Sequence, residues 1–288
     1  MTDKKWVETL EAHDGIELYC RFYPSPKPVG NLLSIHDYGQ HSGAFGKAHE
    51  RMVRQGYNVY TFDLRGHGKS SGERGAIDHF DDYLDDLDLL YARVRDRESD
   101  SPLFLLGQGM GSLIALRYAL TRRSKLHGLI LCGGMPELPV NLKERLVAQY
   151  ASLFLSRVEA NAEARELLLS SALSGALKDD ALAFRGAVNA KTILELNAIR
   201  ESLAENGPML KFPVLCLSSE QHLPAMYRLK ENLLSHDKTL IPYPGPSHQP
   251  FLGAERDQVI DAIIEWCGAR LERLEDDEEM DEEEDDSL

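Results

Sequence analysis

The chain is predicted to be an α/β protein with a mostly parallel sheet and helices on both faces, and three observations predict it. Apolar runs alternate with stretches of helical periodicity from Leu32 to Cys132, the signature of repeated βα units. One run, residues 103–106, enters the glycine-bracketed turn Gly107-Gln108-Gly109-Met110-Gly111, which opens directly into a helical stretch. Strand patterns return at Pro213 after a stretch, 137–208, in which only helical patterns occur.

The elements follow in order. Residues 6–12 and 16–23 flank His13-Asp14-Gly15, and an Asp-Gly pair between two strand-like runs predicts a hairpin. After the connector Pro24-Ser25-Pro26-Lys27-Pro28, residues 32–36 read as a buried strand, Phe45, Ala48 and Met52 as one helix face, and 57–63 as a second strand. Phe80, Tyr83, Leu84, Leu87, Leu90, Tyr91 and Val94 have helical spacing. Arg93, Arg95 and Arg97 fall near that helix's end, where the macrodipole favours cations. The elbow strand, its helix and a strand over 128–132 come next. In the helical insertion, Leu142, Leu146, Tyr150 and Leu153 form one stripe, and 165–178 and 181–204 continue as helix. Strands at 213–217 and 239–243 and an amphipathic helix over 255–274 complete the pattern. The resulting division is 1–136 and 209–274 for the core, 137–208 for a helical cap, and 275–288 for a tail.

Composition narrows the function. With 288 residues, 43% of them hydrophobic, the chain buries a sizeable core. No apolar run approaches the roughly 18 to 20 residues that span a bilayer, and the first residues lack the apolar segment of a signal peptide; a cytoplasmic protein is expected. Cys20, Cys132, Cys216 and Cys267 form no C-x-x-C pair, which disfavours a metal knuckle or a disulfide framework. Glu275 to Asp286 contains eleven acids and no base, and removing those eleven charges from −15 leaves −4. Such a block repels itself and predicts a disordered, solubilising tail. Nucleic acid is not an expected partner, because no Lys/Arg cluster is present to bind phosphates. No cofactor motif appears: Arg65-Gly66-His67-Gly68 lacks the Gly-Lys-Ser/Thr ending of a phosphate loop.

Four stretches, IHDYGQHSGAF at 35–45, DLRGHGKSSGERG at 63–75, LLGQGMGSLIALRYAL at 105–120 and YPGPSHQPFLGAERDQVIDAIIEW at 243–266, resemble the α/β-hydrolase superfamily. The branch is that of the monoacylglycerol lipases and lysophospholipases, also described as serine aminopeptidase S33-like, and the resemblance spans roughly 5–273. It implies an eight-stranded, mostly parallel sheet with an inserted helical cap. It also implies a serine at the elbow, a histidine, a carboxylate, and two backbone N–H groups that hold an oxyanion. On this sequence the serine falls on Gly109, the histidine is retained as His248, and the acid position falls on His222, with Gln221 and Glu220 beside it. The oxyanion donors are the N–H groups of Tyr38 and Met110, and Asp37 stands where the family has glycine. A β-carbon at 37 is expected to strain that turn, and its charge opposes the developing oxyanion, where one lost donor costs about 3 kcal/mol.

These departures favour a protein without serine-hydrolase chemistry that binds an acyl or other small apolar ligand under the cap, or regulates. A single engineered change would have altered Gly109 alone. Two alternatives stand beside it: an ester or lipid hydrolase with a rearranged site using His248 with Asp37 or Glu220, and an interaction scaffold whose acidic tail engages a basic partner. Ser112 as a displaced nucleophile is disfavoured, since it falls inside the first helical turn. A metal held by His36, His41, His222 and His248 with Asp37 or Glu220 lacks a short ligand spacing, so no metal is expected. The cap's apolar stripe is first a packing face and second an acyl-binding or weakly membrane-touching surface. No pattern fixes an oligomeric state.

Overall fold

The computed structural model describes residues 5–122, 124–133, 138, 159–173, 175–205, 210–244 and 249–285. Eight strands, β1 (Trp6–Glu11), β2 (Glu17–Tyr23), β3 (Gly30–Ile35), β4 (Tyr57–Phe62), β5 (Leu103–Gln108), β6 (Gly128–Cys132), β7 (Val214–Ser219) and β8 (Lys238–Tyr243), form one sheet in the order β1-β2-β4-β3-β5-β6-β7-β8. The hairpin strand β2 pairs antiparallel with β1 and β4, and every pairing from β4 to β8 is parallel. Gly15 at φ +81° makes the hairpin turn, closed by Ala12 N–H donating to the Ile16 carbonyl at 2.8 Å.

Helices α1 (Gly46–Arg54), α2 (Asp81–Arg97), α3 (Met110–Thr121), α4 (Ala162–Leu173), α5 (Ala190–Glu205), α6 (Leu223–Asn232) and α7 (Arg256–Asp285) complete the described elements. Strand alternation sorts the core into two layers. On β3, Leu33 and Ile35 join the layer under α2, α3 and α5, whereas Leu32 joins the layer under α1 and α7; on β5, Leu103 and Leu105 part from Phe104 and Leu106 in the same way. The central strands are buried along both faces, which is why they read as unbroken apolar runs rather than alternating ones.

Two buried ion pairs fix the loops at the carboxyl ends of the strands. Arg21 on β2 contacts Asp63 at 2.7 Å, and Asp63 also accepts the N–H groups of Ser42 and Lys69, each at 2.8 Å. Arg65 holds Asp86 of α2 with two bonds of 2.7 and 2.6 Å and reaches Asp14 at 2.8 Å.

The insertion between β6 and β7 differs from the sequence expectation. The stripe Leu142, Leu146, Tyr150, Leu153 lies outside the described residues. Helix was expected over 165–178 and 181–204; it occupies Ala162–Leu173 and Ala190–Glu205, with a short 3-10 turn at Gly175–Leu177 between them. Gly175 at φ +61° stops the first helix. Asp180 then bonds the Leu182 N–H at 2.8 Å, a local turn that competes with helix, and Asn189 bonds the Lys191 N–H at 2.9 Å, capping α5. The insertion is tied to the sheet's loops by Phe184 N–H to the Gly39 carbonyl (2.8 Å) and Phe80 N–H to Glu195 (3.1 Å).

A disordered segment was expected from 275 onward, and α7 is continuous from Arg256 through Asp285. A helix already nucleated against the sheet needs only propagation, and Glu is a good helix former. No helix among the described residues is long and apolar enough to cross a membrane.

Candidate functional site

The site is built where β5 turns into α3. Gly107 and Gly111 are required by close approach: a β-carbon on Gly107 would lie 2.2 Å from the Gly111 carbonyl oxygen, and one on Gly111 would lie 2.5 Å from that of Ile35. Between them Gly109 takes φ +54°, ψ −118°, a conformation that costs a residue with a side chain about 1–3 kcal/mol. The turn is held by Gly109 N–H to the Cys132 carbonyl and Ser112 N–H to the Gly109 carbonyl, both at 3.0 Å. This is a sharp elbow with no side chain at its apex.

The space at the apex is filled from the neighbouring loop. A β-carbon on Gly109 would lie 2.2 Å from Cγ and Oδ1 of Asp37 and 2.4 Å from its Oδ2. Asp37 is 5% exposed, and its Oδ1 accepts the N–H of Tyr38 at 2.8 Å and the N–H of Met110 at 2.7 Å. Two backbone donors therefore converge on one carboxylate oxygen at the amino end of α3, where the helix dipole adds to the attraction. The expected strain at position 37 is absent: among the described residues no residue other than glycine has positive φ, and Gly39 at φ +75° makes the turn instead.

Side-chain hydrogen bonds hold the loop carrying Asp37. His36 is fully buried, accepts the Leu64 N–H on Nε2 at 2.9 Å, and so donates from Nδ1 to the Asp37 carbonyl at 2.7 Å. Burial, reinforced by neighbouring His67, pushes its pKa down to about 3, so the imidazole is neutral. The buried Tyr38 hydroxyl donates to the Gly75 carbonyl at 2.5 Å, and burial raises its pKa well above the usual value. Gln108, at the end of β5, donates to the Gln40 side chain at 3.2 Å.

The structure brings Gly109, Asp37, Tyr38 and Met110 together. His222 stands in a 3-10 turn after β7, with Nδ1 hydrogen-bonded to Ser219 Oγ at 2.9 Å, and Glu220 at the start of that turn is exposed. His248 lies outside the described residues. Ser112 directs its hydroxyl to the backbone carbonyls of Gly107 (2.7 Å) and Cys132 (3.2 Å), as a helix residue packed on the sheet does. His41 donates from Nε2 to Asp180 at 3.0 Å. Among the described residues, no three His, Cys, Asp or Glu side chains are grouped to hold a metal.

The carboxylate in the donor pair is the feature sequence reasoning missed. Its signal was present: relative to the resembled pattern, position 37 gains a side chain and position 109 loses one. Two such changes, separately damaging, become one complementary exchange when the positions share a volume.

Residues 26–256 match the family described as serine aminopeptidase, S33. The chain belongs to the serine aminopeptidase S33 family. This S33 chain is 29% identical to the monoglyceride lipase of Rattus norvegicus over 276 residues, covering 90% of this chain and 89% of that protein. It is 23% identical to the monoacylglycerol lipase of Mycolicibacterium smegmatis over 265 residues, covering 88% and 93%. Among solved structures, a thermostable carboxyl esterase from Bacillus coagulans superposes with a TM-score of 0.80 at 21% identity, over 94% of this chain and 100% of that one. A monoacylglycerol lipase from Paleococcus ferrophilus gives 0.70 at 26%, over 88% and 99%. The resemblance read from four stretches therefore holds across most of the S33 chain, and the fold is that of the α/β-hydrolases.

Proposed function

We propose that this chain is an S33-family protein without serine-hydrolase chemistry, which serves as a binding or regulatory protein. One observation carries the reading: Asp37 Oδ1 takes both converging N–H donors, those of Tyr38 and Met110, beside an elbow that has no side chain. Acyl transfer at such an elbow needs a nucleophile on residue 109 and two donors free to receive the substrate's oxyanion. Gly109 offers no nucleophile, and the donors already hold an anion. The carboxylate stands in for the oxyanion that a substrate would generate, so the site is stabilised in a form that excludes it.

The acid position supports the same reading. His222 cannot supply the carboxylate that orients an imidazole, and Glu220, at the start of the same turn, is exposed. The relatives' names speak of monoacylglycerol lipases, which makes an acyl or small apolar molecule under the helical cap the natural class of ligand for a chain that keeps their architecture.

The test is hydrolysis of short and long p-nitrophenyl esters and of a monoacylglycerol, with fluorophosphonate labelling in parallel. No turnover above the buffer rate and no label are expected. Covalent labelling, or turnover that is lost in His248→Ala, would overturn the reading.

A further inference from the structure

The segment between α4 and α5 lies across the loop that carries Asp37. Asp180 accepts the His41 Nε2 proton at 3.0 Å, and Phe184 N–H donates to the Gly39 carbonyl at 2.8 Å. The Phe184 ring stands edge-on to Tyr38 and His67, with ring centres 6.1 and 6.4 Å apart. A β-carbon on Gly75 would lie 2.2 Å from that ring, and the Gly75 carbonyl is the one that accepts the Tyr38 hydroxyl. The segment therefore bears on residues 38, 39, 41 and 75, which surround the Tyr38 N–H donor of the Asp37 carboxylate.

The same segment is built to move as one piece. Arg185 bonds the carbonyls of Leu177 and Asp180, which ties its two halves together. At one end the exposed Gly175, at φ +61°, has nothing within 4 Å of its would-be β-carbon, which leaves room for a hinge; at the other, Arg165 of α4 holds the carbonyls of Arg185 and Gly186. Leu177 and Ala183 are buried but belong to neither core layer, and Asp180 is 30% exposed. Lifting such a segment costs few core contacts, which is the character of regions that open locally. On the loop side, His41 Nδ1 is buried without a hydrogen-bond partner, so the imidazole's polar hold is its Nε2 bond to Asp180.

We infer that residues 175–186 form an autoinhibitory strap, latched by Asp180 to His41, which keeps the Asp37 carboxylate on its two donors. Release of the strap frees the loop around Tyr38, and the carboxylate then leaves both donors together, because one oxygen holds the N–H groups of Tyr38 and Met110. The inference rests on the reading above in taking Asp37 as the group that occupies the donors. Turnover and labelling test that reading; amide exchange without substrate tests the strap.

The experiment follows amide hydrogen exchange by NMR in the full-length protein and in Asp180→Ala, His41→Phe and the double variant. Asp180 is partly exposed, and phenylalanine fills the volume of the buried His41 ring, so two independent routes break the latch. In each single variant the Tyr38 and Met110 amides should exchange at least about tenfold faster, or ~1.4 kcal/mol, while the Ile130 amide in the central strand β6 keeps its rate. The double variant should exchange no faster than the more affected single one, because both changes break one bond. The Met110 amide decides the matter, since the Asp37 carboxylate is what joins it to the Tyr38 loop. Unchanged rates in both single variants, a rise at Tyr38 alone, an equal rise at Ile130, or effects that multiply in the double variant would each overturn the assignment.

Discussion

Building a serine onto Gly109 would put its β-carbon 2.2 Å from the Asp37 carboxyl carbon, so the new side chain must evict the carboxylate. Eviction strips the Tyr38 and Met110 N–H groups of a charged acceptor, and each such bond is worth about 1.5–3 kcal/mol. The backbone at φ +54°, ψ −118° adds strain of about 1–3 kcal/mol for any residue with a side chain. Gly109→Ser is therefore expected to lose about 4–9 kcal/mol of stability, a large share of a typical fold's margin, and to gain no esterase activity. Adding Asp37→Gly removes the clash, so the double variant should unfold at a higher urea concentration than Gly109→Ser alone. Additive losses in that double-mutant cycle would mean that the two positions do not share a volume.

At the scale of elements, two helical glycines should respond with opposite signs. Gly111 sits where α3 crosses β3, and a β-carbon there would lie 2.5 Å from the Ile35 carbonyl oxygen and 2.8 Å from that of His36. Backbone cannot swing aside as a side chain does, so Gly111→Ala should lift the helix and cost about 1–3 kcal/mol. Gly268 lies in α7 with nothing within 4 Å of its would-be β-carbon. Gly268→Ala should therefore stabilise by about 0.5–1 kcal/mol through helix propensity; urea midpoints that move the same way for both would refute the packing account. The same contrast explains what was legible in the sequence. Buried strands such as Leu103–Gln108 announce themselves because both faces need apolar residues, and the elbow because only glycines tolerate its approaches. The turn between α4 and α5 was not legible, because Asp180 and Asn189 act through side-chain bonds to their own backbone that periodicity does not register. Asp37 and Gly109 were each legible as departures from the resembled pattern, but not that the carboxylate of one fills the space left by the other. Positions 37 and 109 are far apart in sequence, and only the parallel pairing of β3 with β5 makes them neighbours.

Across the whole molecule, three imidazoles from different elements are buried neutral and link stability to pH. His36 directly follows β3, His49 sits in α1 beside Tyr23 and Phe45, and His67 lies in the loop after β4 against Tyr38. Burial is the first cause in each case, and it pushes their pKa values down to about 3, 3 and 4 from an unfolded value of 6.5. Between those limits the unfolded chain binds protons that the folded chain refuses, so stability rises with pH up to about 6.5 and is lost as pH falls below it. At pH 5 each imidazole has cost about 2 kcal/mol, and together about 6 kcal/mol, enough to unfold a marginally stable protein. Asp63, whose pKa lies below the usual carboxylate range because the Arg21 charge and the hydrogen bonds from Ser42 and Lys69 outweigh its burial, acts only at lower pH. It therefore leaves this window to the histidines. The urea midpoint should fall steeply between pH 7.5 and pH 5, and His49→Phe, which keeps the aromatic packing and removes one proton site, should reduce that fall by about 2 kcal/mol. A wild-type midpoint that is the same at both pH values would show that these imidazoles are solvated rather than locked into the core, and with them the loop through which His36 holds the Asp37 carbonyl.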